Sequence, residues 1–223
     1  MSEALASLVD DALDLVPARG RALLGLTGAP GAGKSTLARW LVCAIDARTA
    51  PGTAGYLPMD GFHLSNAQLE RLGRLDRKGA PDTFDAHGYA ALLRRVLVET
   101  DHPVYVPDYD RDLHEPVAAR HVIGPGTRLI VTEGNYLARP VDPWESLRPL
   151  FAELWYVEAD DALREERLLR RQRAGGRDEA AARAWVERSD RANGELVKRS
   201  RGGSTRIVPT GLVPRHRGAP KAR

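Results

Sequence analysis

Residues 28–35 read Gly-Ala-Pro-Gly-Ala-Gly-Lys-Ser and fit G-x-x-x-x-G-K-[ST], between an apolar run at 22–27 and a segment of helical period. The glycines let the backbone turn tightly, so successive N–H groups point inward and make an anion nest at a helix start. Lys34 then reaches the outer phosphates of a nucleotide, and Ser35 offers a hydroxyl to Mg²⁺. The expected nucleotide contacts are Gly28, Ala29, Pro30, Gly31, Ala32, Gly33, Lys34, Ser35 and Thr36. A glycine-rich turn that binds nothing does not account for the complete motif in this setting. Two carboxylates extend the chemistry. The apolar run at 129–132 ends on Glu133, where an open parallel sheet places its ligands, so Glu133 is expected to face the same Mg²⁺, directly or through water. The run at 55–59 leads into Asp60. If that strand neighbours the 22–27 strand, Asp60 sits where an acceptor hydroxyl must give up its proton, and it is the expected general base. On the bare residues two alternatives stay open: a strand-end Glu that is a solvated charge, and an Asp before Gly that only forms a turn.

The elements that must hold these groups follow from periodicity. Residues 22–27, 55–59, 129–132 and 154–157 read as buried strands. Residues 34–47, 85–100 and 162–172 have apolar positions three and four apart and read as helices, the last stopping at Gly175-Gly176. This alternation predicts an α/β fold, a parallel central sheet covered by helices on both faces. Residues 104–106 and 121–123 are expected as two short strands, the sides of a small excursion over the site. A further helix is expected over 179–198. No internal repeat or interdomain linker is visible, so residues 1–212 read as one domain and 213–223 as a basic tail.

Six segments carry a family resemblance: GAPGAGKST, PMDGFHL, RKGAPDTFD, PDYDRDLHEP, VTEGNYL and REERLLRRQRAGGRD. Together they resemble the superfamily of phosphoribulokinase, uridine kinase and pantothenate kinase, from Leu23 to about Leu196. Residues 77–85 are similar to the KGFPESYD segment of bacterial pantothenate kinases, and residues 107–114 resemble the PxYDxxxH segment of uridine kinases. The Glu133-Gly134-Asn135-Tyr136 form resembles most the small bacterial kinases associated with fructose transport. The resemblance implies a three-layer P-loop fold and transfer of the γ-phosphate of ATP to a hydroxyl of a small metabolite, a sugar, pantothenate-like or nucleoside acceptor. It implies Asp60 as base, Glu133 at Mg²⁺, and Tyr109 and His114 at the acceptor. Arg111 replaces the apolar residue that follows the aspartate in uridine kinases. With His63, Tyr109, His114 and Arg77 it suits a polyol, sugar or carboxylated acceptor.

The same resemblance makes residues 162–178 a lid whose arginines stabilise charge on the transferring phosphoryl group. Helical steps of three and four put Arg164, Arg167 and Arg171 on one face. Arg167 and Arg171 are the expected catalytic arginines, with Arg164 and Arg170 behind them. The other reading, a solvated basic helix paired with Glu165 and Glu166, holds for most of the run. Gly175-Gly176 would let the lid close and exclude water. Trp185 is expected to pack rather than stack on a ligand, and residues 204–209 are candidates for the adenine side.

Bulk composition bounds the rest. A chain of 223 residues buries a core without disulfides, and its one cysteine, Cys43, in the apolar run after the loop, is expected to be a buried thiol. A reducing, cytoplasmic setting follows. The first residues read as an amphipathic helix, and no stretch approaches a membrane span of roughly 18 apolar residues. The net charge of +3 is concentrated in 164–177 and in 206–223. No aromatic interleaving or base-reading motif accompanies it, which argues against nucleic acid. A homodimer is allowed but leaves no signature. The alternative to a kinase is an ATPase or nucleotide switch with no acceptor. Such a switch has no need of the Asp60 and Tyr109–His114 segments.

Overall fold

The computed structural model describes residues 3–212. In chain order these form α1 (Glu3–Asp14), β1 (Ala22–Thr27), α2 (Lys34–Arg48), β2 (Ala54–Pro58), α3 (Asn66–Arg71), α4 (Ala86–Val98), β3 (Val104–Asp110), β4 (Glu115–Ile123) and β5 (Leu129–Glu133). There follow β6 (Glu153–Val157), α5 (Asp161–Ala174), α6 (Glu179–Trp185), α7 (Arg191–Lys198) and β7 (Arg206–Val208). Five strands make a parallel sheet in the order β2-β5-β1-β6-β7, while β3 and β4 pair antiparallel as a separate hairpin. Among the described residues no helix is long and apolar enough to cross a membrane. The basic tail, 213–223, lies outside the described residues.

Side chains alternate across a strand, so each strand feeds two cores. Leu23, Leu57, Ile130 and Leu154 enter one with Tyr89, Leu93 and Val96 of α4. Leu24, Leu26, Val131 and Trp155 enter the other with Leu37, Leu41 and Ile45 of α2 and Leu8 and Val9 of α1. This is the three-layer arrangement expected from the alternation of elements. Cys43 departs from expectation. It is exposed, because the buried stripe of α2 runs through Leu37, Ala38, Leu41 and Ile45, and a residue two positions past Leu41 points away from it.

Register brings the functional strand ends level. Glu133 lies opposite Leu26 of β1 and opposite Pro58 of β2. β5 therefore lies between β1 and β2, so the adjacency on which the reading of Asp60 was conditioned does not hold. Asp60 still arrives at the same sheet edge because the chain continues past Pro58 into a 3₁₀ turn, Met59–Phe62. Gly61 in that turn lets the hairpin approach. A Cβ there would lie 2.4 Å from the carbonyl oxygen of Pro107 and 2.8 Å from the backbone nitrogen of Asp108. Gly61→Ala is expected to cost about 1–3 kcal/mol, the range for overpacking. Urea unfolding reads it, and a midpoint unchanged from wild type would contradict the close approach.

The helix expected over 179–198 is present but not regular. A π turn, Val186–Asp190, joins α6 to α7 and carries Ser189 and Asp190 into buried positions. The hairpin is longer than the two short strands expected, with a bulge between Val106 and Asp108. Residues 204–209, candidates for the adenine side, include β7, which pairs with β6 as an edge strand.

Candidate active site

The loop between β1 and α2 has the backbone that its glycines allow. Gly28, Gly31 and Gly33 have φ of 148°, 80° and 102°, where side chains are disfavoured. A Cβ on Gly28 would also lie 2.4 Å from the carbonyl oxygen of Val157 on β6. Because α2 begins at Lys34, its first backbone N–H groups open toward the loop as a ready anion site. The Lys34 side chain is buried, and its Nζ donates to the carbonyl of Ala29 at 3.1 Å and to Asn135 Oδ1 at 2.7 Å. Burial pushes the ammonium down to about 8, against the pull of Glu133 and Asp60. An incoming polyphosphate would supply the missing counter-charge.

Glu133 is buried at the end of β5, and its Oε1 accepts from Ser35 Oγ at 2.8 Å and from the Tyr56 hydroxyl at 2.8 Å. Burial and the nearby Asp60 raise its pKa, opposed by Lys34, Ser35 and Tyr56. A hydroxyl and a carboxylate in contact are hard oxygen donors of the kind that would suit Mg²⁺. These two residues fit that ion.

Beside the loop opens a cleft of about 1150 Å³ whose lining includes Lys34, Ser35, Glu133 and Asp60 together with His63, Tyr109, Arg111 and His114. Arg111 Nη2 lies 3.6 Å from Asp60 Oδ2. Burial raises the Asp60 pKa, but His63, Arg111, Arg171 and Lys34 together outweigh it, so the carboxyl is held below its ordinary range and is ionised at neutral pH. His63 is fixed by Nδ1 against the carbonyl of Asp60 at 2.8 Å, with its ring centroid 4.1 Å from that of Phe84 and 4.7 Å from that of Tyr109. Burial lowers the His63 pKa although Asp60 raises it. Burial lifts the Tyr109 phenol to about 12, with Asp60 and Glu115 adding to it. His114 stands at the hairpin turn with φ 56°, its Nε2 3.3 Å from the carbonyl of Gly175. The hairpin and the end of α5 thus touch across the cleft.

The arginines of α5 divide by partner. Arg164 is buried and donates from Nε to the carbonyl of Pro30 at 2.9 Å, bracing the loop from behind. Arg167 Nη1 donates to the carbonyls of Gly31 and Ala32 at 3.1 and 3.2 Å. Arg171 lines the cleft and pairs with Asp190 Oδ1 of the π turn at 3.6 Å. Arg170 lines a separate surface depression with Arg173 and Arg177. Trp185 lines the cleft as well as packing, with the Arg177 guanidinium carbon 4.2 Å from its ring centroid. Arg77, considered for the acceptor side, is turned outward into an ion pair with Asp82 at 2.5 Å.

Four residues around the site carried no role in the sequence: Asn135, Tyr56, Lys78 and Asp190. Asn135 lay inside the quoted EGNYL segment, and its place two residues past Glu133 was the available signal. Lys78, next to the Arg77 considered instead, has its Nζ on Asn66 Oδ1 at 2.6 Å and on the carbonyl of His114 at 2.7 Å, and 5.1 Å from the Tyr109 ring centroid. Tyr56 and Asp190 are brought in by packing and by the π turn, which no spacing rule announces.

No protein-family model matches the chain. A Schizosaccharomyces pombe protein named "Putative uridine kinase" is 32% identical over 188 residues, covering 82% of this chain and 80% of its own length. A "Pantothenate kinase" of Ligilactobacillus salivarius is 30% identical over 151 residues, 67% of this chain and 48% of its own length. The crystal structure of a "putative fructose transport system kinase from Silicibacter sp. TM1040" matches with TM-score 0.84 at 36% identity, over 94% of this chain and 100% of that one.

Proposed function

The chain belongs to the phosphoribulokinase, uridine kinase and pantothenate kinase superfamily of P-loop kinases, and on that premise we propose which residues carry its reaction and what acceptor it takes. It is an ATP-dependent small-molecule kinase. The observation that carries the site assignment is that the loop groups Lys34, Ser35 and Glu133 and the carboxylate of Asp60 line one cleft together with the polar residues His63, Tyr109, Arg111 and His114.

Residues 28–36 hold the ATP phosphates through backbone N–H groups and the Lys34 ammonium. Ser35 and Glu133 would hold Mg²⁺, which when bound would neutralise charge on the phosphates. The acceptor's hydroxyl oxygen attacks the γ-phosphorus, its bond to the bridging oxygen of ADP breaks, and Asp60 receives the hydroxyl proton. Arg171 faces the developing charge, and Arg167 acts from behind by fixing the loop carbonyls. Arg171→Ala is therefore expected to lower kcat by roughly 10²-fold or more with a smaller loss of ATP affinity. Arg167→Ala should reduce ATP affinity and kcat to similar extents. Stopped-flow nucleotide binding beside steady-state rates separates the two, and equal behaviour of both variants would remove the distinction.

His63, Tyr109, Arg111 and His114 form the acceptor wall. Its cation and imidazoles favour a sugar, polyol or carboxylated pantothenate-like hydroxyl compound over a nucleoside, whose base would want an apolar neighbour where Arg111 stands. Consumption of ATP and the lone thiol support a cytoplasmic setting. A coupled ADP-release screen with ATP and Mg²⁺ over fructose, other sugars, pantothenate, glycerate and nucleosides tests this reading. ADP release that no acceptor raises above basal hydrolysis would sink it.

A further inference from the structure

Tyr56 lies on β2, an edge strand of the sheet, and its hydroxyl reaches the centre of the site. The side chain is buried, and the hydroxyl donates to Glu133 Oε1 at 2.8 Å. Ser35 Oγ donates to the same oxygen at 2.8 Å. A buried phenol needs a partner; here the partner is the carboxylate assigned to Mg²⁺. Two donors on one oxygen fix the rotation of the group and leave Oε2 with neither of them.

The ring that carries this hydroxyl is itself held. The Arg39 guanidinium carbon of α2 lies 5.1 Å from its centroid, and the His121 ring of β4 meets it edge-on at 5.1 Å and 82°. Both walls converge on one carboxylate of the hairpin. Asp108 Oδ2 is 2.8 Å from His121 Nε2 and 3.7 Å from Arg39 Nη2, while Oδ1 accepts from the backbone N–H of Tyr109 at 2.7 Å. The helix that starts at the phosphate loop, the strand that leads to Asp60 and the hairpin that carries the acceptor wall therefore meet around a single phenol.

We propose that Tyr56 is a positioning residue for the metal-site carboxylate, fixing the orientation in which Glu133 meets Mg²⁺, with the Arg39, His121 and Asp108 collar tying that orientation to the acceptor hairpin. The role rests on the assignment of Glu133 to Mg²⁺. Groups that orient a metal ligand typically matter 10- to 100-fold in metal affinity, and a phenol is a neutral donor throughout the working pH range. Tyr56 touches neither substrate nor metal in this scheme and acts through Glu133.

The test is calorimetric titration of the non-hydrolysable analogue AMP-PNP across a Mg²⁺ series, on wild type, Tyr56→Phe, His121→Ala and Glu133→Gln. Tyr56→Phe keeps the ring and both walls. Its metal-free affinity for the analogue should stay within about twofold of wild type, while the Mg²⁺ concentration giving half the metal effect rises about 10-fold. His121→Ala keeps the hydroxyl, removes one wall and should shift the Mg²⁺ dependence in the same direction by a smaller factor. A role in packing alone would lower affinity equally with and without Mg²⁺; that result, or an unchanged Mg²⁺ dependence in Tyr56→Phe, overturns the positioning role. No shift in His121→Ala removes the collar from it. If Glu133→Gln also leaves the Mg²⁺ dependence unchanged, the assignment of Glu133 to the metal fails. If Glu133→Gln shifts it and Tyr56→Phe does not, only the role of Tyr56 fails.

Discussion

Asp60→Asn is expected to lower kcat by roughly 10² or more while ATP affinity stays at the wild-type value. Asparagine keeps the shape of the side chain within the 3₁₀ turn but can no longer receive a proton. The size of the loss depends on the group being ionised beforehand. Burial works against that, and the guanidinium groups of Arg111 and Arg171 with the Lys34 ammonium favour it. A carboxylate held below its ordinary range is a weak base, so it suits a reaction in which the acceptor proton leaves late, as in a loose phosphoryl transition state. Arg111 lies 3.6 Å from this carboxylate, and acceptor binding has to share or displace that contact. Steady-state kinetics with nucleotide binding on the same preparation reads the effect. Normal kcat with normal acceptor KM would make Asp60 a turn former and nothing more.

Lys34→Ala carries the other large effect, a fall in turnover of about 10³-fold together with weaker nucleotide binding. The ammonium is buried and already oriented by Ala29 and Asn135, so its charge is presented to phosphate without a search. Removing it leaves the Asn135 amide oxygen and the loop carbonyl without their donor and leaves Glu133 and Asp60 facing incoming phosphate with less cationic cover. Lys34→Arg should not rescue activity, because a longer, planar fork cannot occupy the same enclosed position. Wild-type turnover in Lys34→Ala would contradict the role of the whole loop.

Much of the fold was readable because it is local. The four buried runs appear within a residue or two as β1, β2, β5 and β6, since strands covered on both faces are written as unbroken apolar stretches. The loop at 28–35 was equally plain, since a motif and its flanking elements are contiguous. Strand order was not legible. The reading of Asp60 depended on a neighbour that proved to be two strands away, and only register shows that a longer turn makes up the distance. The arginines show the same limit: helical spacing aligned Arg164, Arg167 and Arg171, but not the depth at which each meets the loop. Arg164 is consumed by Pro30, and Arg171 is left to the cleft. Tyr56 and Asp190 enter through contacts between elements distant in sequence, which no local pattern records.

The hairpin of β3 and β4 belongs to neither edge of the five-stranded sheet. Its hydrogen-bond ladder is its own, and its tip carries Tyr109, Arg111 and His114. On the acceptor role proposed for those three residues, selection on what the enzyme phosphorylates can rewrite this segment without disturbing the ladder that aligns the phosphate loop with Glu133. Its base is anchored in the core through Val104, Val106 and Ile123, by a glycine at 61 that admits Pro107, and by the cluster of Asp108 and His121 against Tyr56. A lineage that keeps those fastenings is free to vary the tip, and one family could diversify its acceptors while its ATP-handling half stays constant.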